Sequence, residues 1–397
     1  MFENIEDAIA FVVKRKTTTT SFEDFKDIMR VSEKYPDLKF VHVTGTNGKG
    51  SYVAYMMNTL INAGYLVGTF QSPHLITHLD RIRINDHNIS SESFLEIINK
   101  YYDLIISKDF NMFMIDFLIM CEYFSAQKVD VVLLEVGVGG LRDWTNVIGR
   151  PLLAVIVTVG FDHMNYLGNT ITSIASKKAG IIKGEHPVLI GQLPAAATKV
   201  IKQTCQDKNC ELVCLQPIIN KKQSYEYQNK IYHISALADY QKHNSALCIE
   251  TAKLLNRYYQ FHITNFDLAK AIDNTTWRGR FEVIAHNPLT IIDGAHNVDG
   301  IKALVANFSK LPHPLVVVAS VLKDKEYLKM YQILLDNAEL VIVTEFANSR
   351  DLSLSELNLP GLIKCPDKSA ALKLAKNFEG VKTIVICGSL YFIATYL

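Results

Sequence analysis

From about residue 39 the chain alternates short, nearly continuous apolar runs with segments of helical period. KFVHVTG (39–45), YLVGTF (65–70), VDVVLLEVG (129–137), LLAVIVTVG (152–160) and HPVLIG (186–191) predict strands, and SYVAYMMNTLINAG (51–64) predicts a helix ending at Gly64. Runs without polar alternation, separated by helices, indicate parallel strands covered on both faces. From Cys205 to about Tyr232 the chain turns polar and less regular, and YQKHNSALCIETAKLLNRYY (240–259) then predicts a helix. After TTWRGRFEVI the alternation restarts in LTIIDGAHN (289–297), PLVVVASVL (314–322), AELVIVTEF (338–346) and KTIVICGSL (382–390). The expected fold is α/β, with a mostly parallel sheet domain over 1–277 and a smaller, Rossmann-like α/β domain over 278–397.

Composition narrows the function. A chain of 397 residues is too long for one small core, in line with two domains. Lys plus Arg number 41 against 40 acids, so no polybasic field points to nucleic acid or an anionic membrane as partner. The longest apolar run, PLLAVIVTVGF (151–161), is about half of a bilayer span. The start, MFENIEDAIAFVVKRK, carries acids where a signal peptide carries positive charge. Seven scattered cysteines form no disulfide framework, and the spacing of Cys205, Cys210 and Cys214 fits no common zinc pattern. Reduced thiols in a cytoplasmic protein are expected. The sequence carries no oligomer signal, and a monomer is the expectation.

The strongest local signal is TGTNGKGS (44–51), between a strand and a helix. Glycines there let backbone amides close around phosphate oxygens at a helix N-terminus. Lys49 would reach the β- and γ-phosphates, and Ser51 sits where a hydroxyl meets phosphate or magnesium. The string departs from the common P-loop, having Val43 in place of the first glycine and Gly50 between Lys49 and Ser51. Glu135 closes the third strand, where a carboxylate serves a nucleotide-bound magnesium ion, or else caps a helix. Asp162 and His163 follow the fourth strand, and their convergence on the same edge favours His163 as a metal ligand. In the second domain, Asp293 and His296 follow a strand at a glycine turn. They would hold a ribose hydroxyl and a substrate carboxylate, or act as helix caps. Arg280 would clamp a phosphate, or pair with Glu282 at the surface. Ligand groups at strand ends of both domains place the nucleotide in a cleft between them. No N-K-x-D string exists to read guanine, so adenine is expected.

In order along the chain, TGTNGKGS, SPHL (72–75), DRIRIN (80–85), LEVGVGG (134–140), TNV (145–147), DHMNYLGNTITSIASKKAGIIK (162–183), WRGRFEV (277–283), IIDGAHN (291–297), VLKDKEYLKM (321–330) and GSLYFIA (388–394) resemble the folylpolyglutamate synthase/dihydrofolate synthase family of the Mur ligase superfamily. The resemblance implies a Mur ligase-like central domain and ATP-dependent amide formation between a folate carboxylate and L-glutamate, through an acyl phosphate. It implies ATP contacts from Gly48, Lys49, Gly50, Ser51, Asn244, Arg280 and Asp293, and a magnesium ion (Mg2+) on Ser72, Glu135 and His163. Lys49, His163 and Lys178 become the catalytic set, with Lys178 matching a lysine the family carries as a carbamate. His296 and Ser389 match positions facing glutamate.

The chain also departs from the family. FMIDF (113–117) stands where F-E-x-x-T is usual, so Met114 and Phe117 replace glutamate and threonine. GGLRDWTNV replaces G-G-R-L-D-A-T-N-V, and Asp80, Tyr240 and Trp277 stand for a usual glutamate, histidine and proline. The first two stretches, with Phe113, Arg142 and Asp143, line the pterin side in bifunctional members. The reading is therefore a tetrahydrofolate polyglutamylating ligase. The alternatives are a bifunctional enzyme that also makes dihydrofolate from dihydropteroate, a Mur-type ligase on another acid, and a non-catalytic nucleotide-binding relative. SPHL with DRIRIN, and the lack of an added N-terminal domain, argue against another acid.

Overall fold

The computed structural model describes residues 1–346, 350 and 352–397. The chain forms two compact units, one of Met1–Ser235 with Lys242–Thr275, the other of Ala236–Gln241 with Thr276–Leu397. The first holds strands β1 (Phe40–Thr44), β2 (Val67–Phe70), β3 (Ile82–Ile84), β4 (His87–Asn88), β5 (Val131–Glu135), β6 (Leu153–Ile156), β7 (Val188–Ile190) and β8 (Leu212–Cys214). They form one sheet in the order β4-β3-β2-β5-β1-β6-β7-β8. Pairing is parallel from β2 through β8 and antiparallel only at the β2-β3-β4 edge. Every residue of β1, β2, β5, β6 and β7 is buried, the reason these strands read as unbroken apolar runs. On one side of the sheet lies a core of Phe25, Phe70, Phe94, Phe110, Phe117 and Phe124. A smaller core of Ile174, Ile181, Ile182 and Ile201 packs with Ala154, Ile156 and Val188.

The polar stretch after Cys205 is more regular than its composition suggested. Leu212–Cys214 adds β8 to the sheet edge, and β9 (Ile219–Lys221), β10 (Ser224–Tyr227) and β11 (Lys230–His233) form a separate antiparallel sheet. These strands are short and one-sided, with β9 fully exposed, so no apolar run announces them.

The second unit is a six-stranded sheet in the order β12-β13-β17-β14-β15-β16, comprising β12 (Glu282–His286), β13 (Leu289–Asp293), β14 (Leu315–Ala319), β15 (Leu340–Val343), β16 (Leu362–Lys364) and β17 (Thr383–Cys387). Only β12 is antiparallel. The expected strands end earlier than their apolar strings, at Ile156 and Asp293, because the residues beyond them form the glycine turns that carry the chemistry. Among the described residues no helix is long and apolar enough to cross a membrane, and all seven cysteines are free thiols.

Candidate active site

In the first unit Val43 lies opposite Glu135, Thr44 opposite Ile156, and Phe70 opposite Leu134. The carboxyl ends of β2, β5, β1 and β6 therefore open at one edge, where parallel α/β sheets hold ligands. The loop after β1 is laced to the exit of β6. Asn47 N donates to Thr158 Oγ1 at 2.8 Å, Thr158 Oγ1 donates back to Asn47 O at 2.8 Å, and Gly160 N donates to Thr46 Oγ1 at 3.0 Å. Gly48 has φ +84°, and a Cβ there would stand 2.6 Å from Asn244 Oδ1 and 3.0 Å from Val157 Cγ1. Only glycine meets both demands. No side chain caps the helix Lys49–Asn62 that follows, so its first amides face the loop as an anion-binding terminus. Ser51, in its first turn, is buried.

Lys49 Nζ donates to Gly45 O at 3.0 Å and stands 3.9 Å from Glu135 Oε1. Gln71, at the exit of β2, donates to Glu135 Oε2 at 3.4 Å, and Ser72 is the next residue. Lys178 is 2% exposed. Burial, with the Lys49 charge beside it, pulls its ammonium down to about 7 against the opposing pull of Asp162 and Asp143. Asp162 is buried and accepts from His163 N at 2.8 Å, while His163, at φ +50°, keeps an exposed ring 4.0 Å from the Asp162 carboxylate. The structure thus brings Lys49, Glu135, Lys178 and Asp162 into one charged group.

Among the described residues no three His, Cys, Asp or Glu side chains are arranged to hold a metal by themselves. The expected donors are one carboxylate, one hydroxyl and one imidazole, with Glu135 buried at 4% exposure. The Glu135 carboxylate and the Ser72 hydroxyl are the oxygen donors a hard ion takes, with phosphate oxygens completing its shell, while the His163 imidazole is the donor such an ion takes least readily. The oxygens fit nucleotide-borne magnesium, and the set does not form a closed protein cage.

Of the expected substrate residues, Asp143 is buried and holds its own loop, accepting from Val138 N at 2.8 Å, Thr145 N at 3.0 Å and Thr145 Oγ1 at 2.6 Å. Burial raises its carboxyl above the ordinary value although these donors oppose the shift. Phe113 lies 5.4 Å from Phe70, edge to face, and its ring comes within 3.0 Å of where a Cβ on Gly137 would be. Arg142 is exposed. His74, two residues after Ser72, accepts from Arg81 Nε on Nδ1 at 3.2 Å. Burial and the Arg81 charge hold its pKa down at about 4.

In the second unit Asp293 ends β13. It accepts from Tyr240 Oη at 2.6 Å, Phe281 N at 2.9 Å and Ala295 N at 2.8 Å, and burial raises its pKa. The helix Val298–Val305 is capped by Asn297, which accepts from Gly300 N at 2.8 Å, so neither Asp293 nor His296 is its cap. His296 Nδ1 meets Gly294 O at 2.8 Å. Arg280 Nη1 passes so close that a Cβ on Gly294 would stand 2.2 Å away. The surface pairing with Glu282 goes to Arg278 instead, at 3.3 Å. Ser389 is buried just after the exit of β17. Gln71 and Thr158 escaped the sequence reading. Neither has a distinguishing pattern beyond adjoining SPHL and the fourth strand.

Models of two Mur ligase domains match the chain: the middle domain over 43–254 and the glutamate ligase domain over 279–390. This pair defines a Mur-type ligase architecture. The dihydrofolate synthase/folylpolyglutamate synthase of Bacillus subtilis (strain 168) is 34% identical over 394 residues, covering 92% of this chain and 91% of its own. The folylpolyglutamate synthase of Lacticaseibacillus casei is 34% identical over 314 residues, covering 74% and 73%. A solved FPGS–AMPPCP complex matches 99% of this chain and 98% of its own with a TM-score of 0.84, at 27% identity. The chain belongs to the folylpolyglutamate synthase/dihydrofolate synthase family.

Proposed function

We propose that this chain is an ATP-dependent ligase that joins the amine of L-glutamate to a carboxylate of (tetrahydro)folate through an acyl phosphate, releasing ADP and phosphate. The observation that carries the reading is the Lys49–Glu135 pair, 3.9 Å apart on the glycine loop and its neighbouring strand end. A folate carboxylate oxygen attacks the γ-phosphorus, and the bond to the bridging oxygen breaks toward ADP. Glutamate's amine, having lost its proton, then attacks the acyl carbonyl carbon, and phosphate leaves with the C–O electrons. Such transfer calls for placement and charge neutralisation above all.

The amides of Gly48, Lys49, Gly50 and Ser51 cradle the phosphates, Asn244 faces the same loop, and Lys49 neutralises charge on the transferring group. Ser72, Glu135 and His163 would hold the magnesium ion, which supplies Lewis-acid neutralisation of the phosphates when bound. Lys178, with a pKa of about 7, has a large neutral fraction at physiological pH. That amine is the form that takes up carbon dioxide, losing one proton to become a carbamate. In the second unit Arg280 and Asp293 serve the nucleotide, while His296 and Ser389 serve glutamate. The free thiols and balanced charge support a cytoplasmic enzyme, here read as a monomer.

The test is ADP release with ATP, glutamate and either tetrahydrofolate or dihydropteroate. Turnover that needs both tetrahydrofolate and glutamate is expected. Met114 and Phe117 lie in the buried core and line no substrate surface, so poor use of dihydropteroate is expected from the 139–147 stretch alone, where Trp144 packs on Phe25 at 5.5 Å. Release indifferent to folate would reject the reading.

A further inference from the structure

A second buried polar group lies in the first unit, and the roles assigned above leave it unused. Asp116, on the helix Met112–Ala126, is fully buried, and so nearly are His78 and Arg81. Asp116 Oδ1 meets His78 Nε2 at 2.7 Å, and Oδ2 lies 3.4 Å from Arg81 Nη1. Arg81 in turn donates from Nε to His74 Nδ1 at 3.2 Å. The family pattern puts its glutamate at 114, where this chain has methionine. The buried carboxylate near the cation in this chain is that of Asp116, two positions later. An unpaired buried guanidinium is costly, so Asp116 is what lets Arg81 sit there.

The Arg81–His74 bond fixes the ring. A guanidinium has only donors, so Nδ1 of His74 must be the lone-pair nitrogen, and the proton sits on Nε2. No group among the described residues accepts from that Nε2. Gln71 N donates to Arg81 O at 3.0 Å, and Gln71 donates to Glu135. The segment bearing His74 is thereby tied to the strand end that carries the phosphate chemistry. A neutral N–H donor orients a carboxylate without cancelling its charge, and so preserves its nucleophilicity toward phosphorus. A cation there would not.

We propose that His74 Nε2–H binds a carboxylate oxygen of the folate acid, and that Asp116, acting through Arg81, is the positioning residue that sets the ring's direction. The proposal rests on the ligase reading above. Asparagine at 74 keeps an acceptor for Arg81 but places nothing at Nε2, whereas glutamine restores an N–H there. His74→Asn is expected to raise the folate KM ~10- to 100-fold, the worth of a hydrogen bond to a charged group, with the KM values for ATP and glutamate unchanged. His74→Gln should recover most of the loss. Asp116→Asn should raise the folate KM in the same direction and add little to His74→Asn in the double variant. An unchanged folate KM in His74→Asn, or equal losses in the asparagine and glutamine variants, overturns the proposal even if Asp116→Asn fails to fold. A wild-type protein without folate-dependent ADP release instead overturns the ligase reading.

Discussion

At the residue scale the site is a small set of opposed charges, and each member's task follows from what surrounds it. Lys49 reaches both the loop carbonyl of Gly45 and the carboxylate of Glu135, so it is held over the place where phosphate charge develops. Lys49→Ala should lower kcat by ~10²–10³, the range for losing one pre-positioned donor to transition-state charge; steady-state ADP release reads it, and near-wild-type kcat would remove Lys49 from that role. Glu135→Gln keeps the shape and the acceptor for Gln71 while removing the anion. The magnesium concentration for half-maximal rate should then rise at least about tenfold, the loss that disturbing even an outer partner of a metal site produces. As a free amine, before any carbon dioxide is taken up, Lys178 gives a prediction about folding. Between its native pKa of about 7 and the ordinary value of 10.5, the unfolded chain holds a proton that the native protein lacks. Raising the pH through that window therefore favours folding, by up to ~1.4 kcal/mol per pH unit. Denaturant unfolding at pH 7 and 9 should show this gain in wild type and not in Lys178→Met.

At the scale of elements, what the sequence makes legible is whatever periodicity or glycine spacing records. The strands β1, β2, β5, β6, β7, β13, β14, β15 and β17 are buried on both faces and stand out as apolar runs, and the helix Tyr240–Tyr259 matches its periodic segment end to end. The strands β8 to β11 are short, edge-like or exposed, and burial never imposed a pattern on them. Glu135 was legible because the strand before it is apolar to its last residue. The cluster of Asp116, Arg81 and His78 was not, because it pairs a helix with a loop 38 residues away in sequence, and no local spacing encodes such a contact. The loop between β1 and its helix shows the same division. TGTNGKGS is visible in the sequence, while the partners that set its shape, Thr158 and Gly160, lie just past the end of β6. Gly48→Ala tests that shape. With φ +84° and Asn244 Oδ1 at 2.6 Å from the new methyl, the substitution should cost about 1–2 kcal/mol from the left-handed backbone alone. It should also raise the ATP KM, measured alongside the melting temperature; unaltered values for both would show the loop to be free to move.

For the molecule as a whole, two units with separate cores make folding a matter of two stabilities. The second unit draws on a distant piece of chain. Ala238 joins its core, Asp239 N donates to Asn307 Oδ1 at 3.0 Å, and Tyr240 donates to the buried Asp293. Tyr240→Phe deletes one hydroxyl and leaves a buried carboxylate short of a donor, which should cost about 1–3 kcal/mol. That loss should fall on one unit. In calorimetry the wild-type chain should unfold in two resolvable steps, with Tyr240→Phe lowering one of them and Gly48→Ala the other. If both substitutions move the same single transition, the two cores fold as one and the 236–241 segment does not give the second unit a stability of its own.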